Sequence, residues 1–327
     1  MTIPHYPIEQ FIHYLETHAI RLRDPDELRV KLIRIRADGM EKFQIVSDFD
    51  RTLTPQWLKD PCSQTGKLVQ CHSSHGVIES SPFVSSAYAA ESKRLADHYI
   101  PLEHNHKLSA AERERICVEW YEKAHNIMLG EDLTSSSVMK IVETCWSKME
   151  IHLRARWSHL FSDAKNNSIP ITLLSAGVAD VIECILKLEG ILPEKPIVSF
   201  PDDAVLTEDP VMVVGNRMLF SDDSRHIGFT EPVIHSLNKR GALADALTRS
   251  TQRAERPNAL LMGDLIGDVD FVQSIPHLNN YIAVGFLADS GNHEERLRDY
   301  LEHFDIVVTG GGASMDVPIH LLKSLLI

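Results

Sequence analysis

Cysteine is scarce in this chain, and what there is does not pair up. Five cysteines, Cys62, Cys71, Cys117, Cys145 and Cys184, are spread over 327 residues. An odd, sparse set excludes a disulfide framework. Eight residues separate Cys62 from Cys71 and no second pair repeats that spacing, so a zinc cluster is not expected. Reduced thiols in a cytoplasmic protein are the simplest reading. Long apolar runs are also missing: none reaches the roughly 18 residues of a membrane span. The opening "MTIPHYPIEQFIHYLETHAI" lacks the basic start and the apolar run of about 7–15 residues that mark a secretion signal. Positive charge is short as well, with 33 Lys and Arg against 46 Asp and Glu and a net charge of −13. That argues against a nucleic-acid binder working by phosphate neutralisation. It leaves room for a small anion held by one or two local cations. No low-complexity tract or solenoid-length repeat is present.

What is there is an ordinary globular composition, 43% hydrophobic and 24% charged, in a chain long enough for a core plus a second lobe. Residues 8–40 read as helical, with Ile8, Phe11, Ile12, Leu15 and Ile20 on one stripe and a second helix from Pro25 to a stop at Gly39. The strand Phe43–Ser47 follows. Residues 55–82 read as loop. Residues 84–160 read as helical, with breaks near Pro101 and Gly130. The unalternating run "IPITLL" at 169–174 is the pattern of a buried parallel strand. Further apolar runs at 196–200, 210–214, 259–262, 281–285 and 305–308 are mostly separated by helical segments, and "PDDAVLTED" at 201–209 reads as an acidic surface loop. Strands alternating with helices predict an α/β fold, a Rossmann-like parallel-sheet core. Residues 1–58 and 161–327 are assigned to that core, and residues 59–160 to a mainly helical cap inserted after the first strand.

In an open parallel sheet, ligands bind beyond the carboxyl ends of the strands. The first strand ends in "IVSDFDRTLT", which places Asp48, Asp50 and Thr52 there. The "ITLL" strand leads into Ser175-Ala176-Gly177, read as a helix start. Lys239 precedes a helix, and "LLMGDLIGDVD" carries Asp264 and Asp268 after a strand. Carboxylates gathered at one site repel each other and resist desolvation. A hard divalent cation such as Mg²⁺ removes the problem. A hydroxyl and backbone N–H groups at a helix start make an anion seat, and a lysine adds charge toward the same anion. The set points to a Mg²⁺–phosphate site.

The order DxDxT, Ser, Lys, GDxxxD resembles the haloacid dehalogenase-like phosphohydrolases, over about residues 43–310. The resemblance implies that Asp48 is a nucleophile forming an aspartyl-phosphate and Asp50 the acid and base. It also implies that Asp48, Asp264 and the Asp50 backbone oxygen are metal ligands, that Ser175, Ala176 and Lys239 bind phosphate, and that Asp268 and Thr52 support the site. "VEWYEKAH" at 118–125, "SIPITLLSAGVADVIE" at 168–183, "VIHSLNKRGAL" at 233–243, "LLMGDLIGDVDF" at 260–271 and "VGFLADSGNHEERLRDYLEHFDIVV" at 284–308 are similar, more narrowly, to the cytosolic pyrimidine, or type III, 5′-nucleotidases. That resemblance implies Mg²⁺-dependent hydrolysis of nucleoside 5′-monophosphates, with pyrimidine or 7-methylguanosine bases. It implies a small-molecule partner, no nucleic acid or membrane, and a monomer.

By the same resemblance Glu103, sixteen residues before Glu119, contacts the base; the competing reading is a solvated helix-end charge. The chain departs from the family at Ala124, where the family has a serine near the base, and at Leu265, also a serine position. It departs again at "VQCHSSHGVIES", where the family has a Cys-Pro-Thr-Cys-His stretch, and in a longer segment around 200–211. The altered specificity set leaves two alternatives: another small phosphomonoester, or a nucleotide-binding protein without catalysis. Trp120 and Tyr121 are candidates for base stacking, but Val118, Tyr121 and Ile127-Met128 at helical spacing read as cap packing. His104, His106 and His125 read as surface residues.

Overall fold

The computed structural model describes residues 7–18, 20–60, 66–103, 105, 107–193, 210–288 and 293–326. The expected strand at 196–200, the acidic loop at 201–209, most of the 200–211 segment, His104, His106 and Cys62 lie outside these residues.

Strands come in chain order as β1 (Arg21–Leu22), β2 (Phe43–Ser47), β3 (Trp57–Lys59), β4 (Leu68–Gln70), β5 (Ile171–Val178) and β6 (Val211–Asn216). They continue as β7 (Met218–Phe220), β8 (His226–Phe229), β9 (Asn258–Gly263), β10 (Asn280–Leu287) and β11 (Ile306–Thr309). Seven of them form one sheet in the order β1-β11-β10-β9-β2-β5-β6. Every pairing is parallel except that of the short edge strand β1 with β11. The first parallel strand of the chain, β2, sits in the middle, paired with β9 at Ser47↔Met262 and with β5 at Ser47↔Leu173. The carboxyl ends of β2, β5 and β9 therefore lie side by side.

The strands read as unbroken apolar runs because both faces of the sheet are covered. Ile45, Leu173, Leu260, Val284 and Ile306 join one core, and Val46, Leu174, Leu261, Ala283 and Val307 join the other. Helices α1 (Ile8–Thr17) and α2 (Pro25–Asp38) supply Phe11, Leu15, Leu28 and Leu32 to the first core. The start of α2 follows from its sequence: Asp24 accepts hydrogen bonds from the Asp26 and Glu27 N–H groups, and Pro25 opens the helix.

Between β2 and β5 lie α3 (Gly76–Glu79), α4 (Ser86–Glu103), α5 (Ala110–Leu129), α6 (Ser135–Ser147) and α7 (Trp157–Asn166). Capping boxes start two of them, Ser109 with Glu112 on α5 and Thr134 with Ser137 on α6. Then follow α8 (Ala179–Leu188), α9 (Lys239–Thr248), α10 (Thr251–Ala254), α11 (His293–His303) and α12 (Asp316–Leu325). Helix α4 packs along α5, whereas α6 packs on α8 and α7 on α12.

Several expectations need correction. Residues 55–82 are not all loop: β3 and β4 pair as an antiparallel ribbon and α3 follows. The break expected near Pro101 is present: Pro101 sits in the last turn of α4, which ends at Glu103, and α5 begins only at Ala110. A second ribbon, β7 with β8, was not expected; it stands outside the main sheet, and β8 packs against α5. The cut points 58/59 and 160/161 fall inside β3 and α7.

Away from the strand ends, one buried carboxylate ties the edge of the sheet together. Asp305 accepts from Arg23 at 2.5 Å and Lys31 at 2.8 Å on one oxygen, and from the Ala283 N–H at 2.9 Å on the other. Removing one partner of a buried pair costs about 3–5 kcal/mol. Asp305→Ala should lower the unfolding free energy in urea by about that amount, leaving Arg23 and Lys31 with only the exposed Glu27 as an anion among the described residues.

Candidate active site

At the end of β2 the backbone first prolongs the sheet, with the Asp48 N–H donating to the Met262 carbonyl at 2.9 Å. It then leaves it. The Phe49 carbonyl accepts from the N–H groups of Thr52, Leu53 and Thr54, and Arg51 takes a left-handed conformation, φ 63°. This reversal sends the two aspartates to different partners. Asp48, 3% exposed, accepts from Lys239 Nζ at 2.5 Å. Asp50 accepts from the Ser74 N–H at 2.8 Å and the Ser74 hydroxyl at 2.6 Å.

The loop is braced from behind by Arg154, 2% exposed. Its guanidinium donates to the carbonyls of Arg51, Thr52 and Ala313 at 2.6–2.8 Å, and it lies over the Phe286 ring. Burial pulls its pKa down to about 10, against the pull of Asp264, and it remains a cation at neutral pH. Sequence reasoning passed over both Ser74 and Arg154. Ser74 lies in the stretch that departs from the family pattern and Arg154 in no recognisable pattern, and the contacts span 24 residues for Ser74 and more than 100 for Arg154.

Lys239 is the first residue of α9, 6% exposed, and also reaches Asp268 at 3.3 Å. Asp268 lies in a 3₁₀ segment after β9, and its second oxygen accepts from the Asp264 and Leu265 N–H groups at 3.2 and 3.0 Å. Carboxylate oxygens of Asp48, Asp264 and Asp268 all lie within 4.8 Å of one another. Burial raises the pKa of Asp48, Lys239 works against that, and Asp268 and Asp264 add to the rise. Burial and then Asp268 raise that of Asp264. Burial pulls the Lys239 ammonium down, but Asp268 and Asp48 together outweigh it and its pKa ends raised. The carboxylates outnumber the cations here, and a hard divalent cation fits such a set. The side chain completing this trio is Asp268, while that of Asp50 turns to Ser74.

Ser175 is buried, and its hydroxyl accepts from the Gly177 N–H at 2.9 Å. The expected helix start at Ser175–Gly177 is corrected: these residues still belong to β5, which shifts register against β6 between Leu174 and Val178. Helix α8 begins only at Ala179. A Cβ on Gly177 would lie 1.7 Å from the Ser74 hydroxyl and 3.1 Å from Asp50. Only glycine lets β5 approach that pair so closely. Ala176 is held through its carbonyl, which accepts from Asn216 at 2.7 Å. The Thr52 hydroxyl is buried with no hydrogen-bond partner among the described residues.

Glu103 ends α4, half-buried, and accepts a short hydrogen bond from Ser236, three residues before Lys239. It is not a solvated helix end, because it joins α4 to the segment that carries the lysine. Ala124 is half-buried on α5. His125 is buried rather than on the surface, since its ring stacks on Phe229 of β8 at 3.8 Å. Tyr121 meets His75 edge-on at 5.8 Å and lies 6.4 Å from His235. The Nε2 atoms of His75, His125 and His235 are buried with no hydrogen-bond partner among the described residues.

A parallel sheet whose strand ends gather carboxylates, a buried lysine and a serine is the layout of a phosphomonoester hydrolase. The comparisons narrow this. The chain belongs to the family described as pyrimidine 5′-nucleotidase (UMPH-1), whose model matches residues 62–326, and it is a 5′-nucleotidase. It is 30% identical over 289 residues to the 7-methylguanosine phosphate-specific 5′-nucleotidase B of Xenopus laevis, covering 88% of this chain and 90% of that one. It is 27% identical over 307 residues to the Homo sapiens enzyme of the same specificity, covering 94% and 92%. The crystal structure of cytosolic 5′-nucleotidase IIIB bound to cytidine superposes with a TM-score of 0.80 at 28% identity, covering 97% and 96%. Asp48 and Asp50 precede the matched stretch of the family model.

A carboxyl whose folded pKa is raised contributes stability below its unfolded value, about 3.9 for aspartate. That stability is lost as pH rises through the folded value. Without a divalent cation, this protein should therefore lose stability from acid toward neutral pH, and the rise in Tm produced by Mg²⁺ should grow over the same range. In Asp264→Asn the metal-free Tm at neutral pH should rise by about 2–4 °C and the response to Mg²⁺ should disappear. Melting curves across pH, with and without Mg²⁺, check both.

Proposed function

We propose that the protein hydrolyses nucleoside 5′-monophosphates to nucleoside and phosphate through a phospho-Asp48 intermediate, with Mg²⁺. The observation that carries this reading is the division of labour between the two aspartates: Asp48 lies against Lys239 and the Asp264–Asp268 pair, and Asp50 is held apart by Ser74. A carboxylate oxygen of Asp48 attacks phosphorus and the bond from phosphorus to the nucleoside O5′ breaks. Asp50 gives its proton to that leaving oxygen. It then takes a proton from the water whose oxygen attacks the acyl phosphate, which returns Asp48 to a free carboxylate. The Ser175 hydroxyl, the Ala176 N–H and Lys239 hold the phosphoryl oxygens. Asp48, Asp264, Asp268 and the Asp50 carbonyl are the groups that would hold Mg²⁺, which neutralises charge on the phosphoryl oxygens when bound. Thr52 and Arg154 keep the loop in shape.

The nucleoside is placed toward Glu103, Tyr121 and Ala124. In the bound cytidine of the related crystal structure, and in the names of the relatives, this reading finds support for a pyrimidine or 7-methylguanosine base. Residues 59–160, with the boundaries adjusted to β3 and α7, act as the cap over the site. The protein works as a cytoplasmic monomer on a small nucleotide.

Asp48→Asn should abolish phosphate release while leaving the melting curve cooperative. Asp50→Asn should lower kcat by about 10²–10⁴-fold. Phosphate release from the common nucleoside monophosphates and 7-methylguanosine monophosphate, against sugar phosphates and phosphoserine, tests the substrate. Turnover confined to the nucleotides is expected. Turnover confined to another ester would move the base contacts to a different role.

A further inference from the structure

A second group of side chains of the metal-ligating kinds is built from residues far apart in the chain. His72 follows β4, Cys145 is in the last turn of α6, and Glu150 is in the loop after it. Their donor atoms, an imidazole nitrogen, the thiol sulfur and a carboxylate oxygen, all lie within 4.8 Å of one another. Two backbone hydrogen bonds hold them in place: the His72 N–H donates to the Glu150 carbonyl at 2.9 Å, and the Glu150 N–H to the Cys145 carbonyl at 3.1 Å. The sulfur is buried, whereas His72 and Glu150 are half-buried and leave a path from solvent. Among the described residues no Lys or Arg lies within 4 Å of the Glu150 carboxylate. A thiol, an imidazole and a carboxylate that pairs with no Lys or Arg among the described residues are thus packed together.

We infer that His72, Cys145 and Glu150 form a binding site for a zinc-class divalent ion, with water as the fourth ligand. This donor set suits that ion and not Mg²⁺, because thiolate and imidazole are borderline-soft ligands. On binding, the Cys145 thiol releases its proton to solvent as the metal–sulfur bond forms, and nothing is oxidised or reduced. The place is meaningful. His72 lies two residues before Ser74, which holds Asp50, and Glu150 lies four residues before Arg154, which holds Arg51 and Thr52. The ion clamps together the two segments that brace the catalytic loop.

The test uses the full chain, stripped by a chelator and kept in excess Mg²⁺ to fill the aspartate site, and then titrated with Co²⁺. A thiolate-to-cobalt charge-transfer band should appear, saturate at one equivalent and be displaced by Zn²⁺. Cys145→Ala should lose the band, and Cys71→Ala should keep it. Glu150→Gln alters a half-exposed residue and should melt normally without metal, yet bind Co²⁺ at least about 10–100-fold more weakly. No band in the unaltered protein, a band that survives Cys145→Ala, or unchanged affinity in Glu150→Gln would overturn the site. None of these readouts depends on nucleotide hydrolysis.

Discussion

The structure is organised around one electrostatic conflict. Carboxylate oxygens of Asp48, Asp264 and Asp268 are brought within 4.8 Å of one another at the carboxyl edge of a parallel sheet, with Asp48 and Asp268 buried and Asp264 half-buried. Carboxylates do not gather there without cost, since burial and mutual repulsion both oppose their ionisation. Lys239 offsets part of it and holds two of the three. The remainder is a standing negative potential, which is what a phosphate site needs before it can attract a divalent cation and, with it, a phosphoryl group.

Everything nearby serves to keep that conflict in register. The left-handed turn at Arg51 separates Asp48 from Asp50, so identical side chains two residues apart meet different neighbours. Arg154 satisfies the carbonyls that the turn exposes. Gly177 lets β5 come against Ser74 and Asp50, and its N–H donates to the Ser175 hydroxyl. The hydrogen bond from Ser236 to Glu103 runs from the stretch leading to Lys239 to the end of α4. The stretch that carries Lys239 and the end of α4 are therefore mechanically joined.

Much of this was legible in the chain. Buried parallel strands announce themselves as short apolar runs, and the charged residues that follow Ser47 and Gly263 have no structural reason to sit at buried strand ends. Asp24-Pro25 and Gly39 bound α2 as their chemistry requires. Other parts were not legible, for physical reasons. Strands β3, β4, β7 and β8 have three ladder positions each, too few for a periodicity to show. Ser175–Gly177 read as a helix start because small residues before a helical pattern resemble a cap. The strand extends instead, through a register shift. His125 reads as one more polar residue on a cap helix, and packing from elsewhere in the chain, by Phe229 of the ribbon and by His75, buries it. Ser74, Arg154 and the His72–Cys145–Glu150 group depend on contacts across tens of residues, which no local pattern encodes.

The role of Asp48 is the point on which the account stands. Rapid mixing of excess enzyme with a nucleoside monophosphate and Mg²⁺, acid quench, and mass spectrometry of the peptide spanning residues 45–54 measures it directly. The account predicts a transient phosphoryl group on Asp48 that forms and decays within one turnover, absent from Asp48→Asn. Nucleotide hydrolysis at the normal rate with no phosphoryl group on that peptide, or with it on Asp50, would contradict the account.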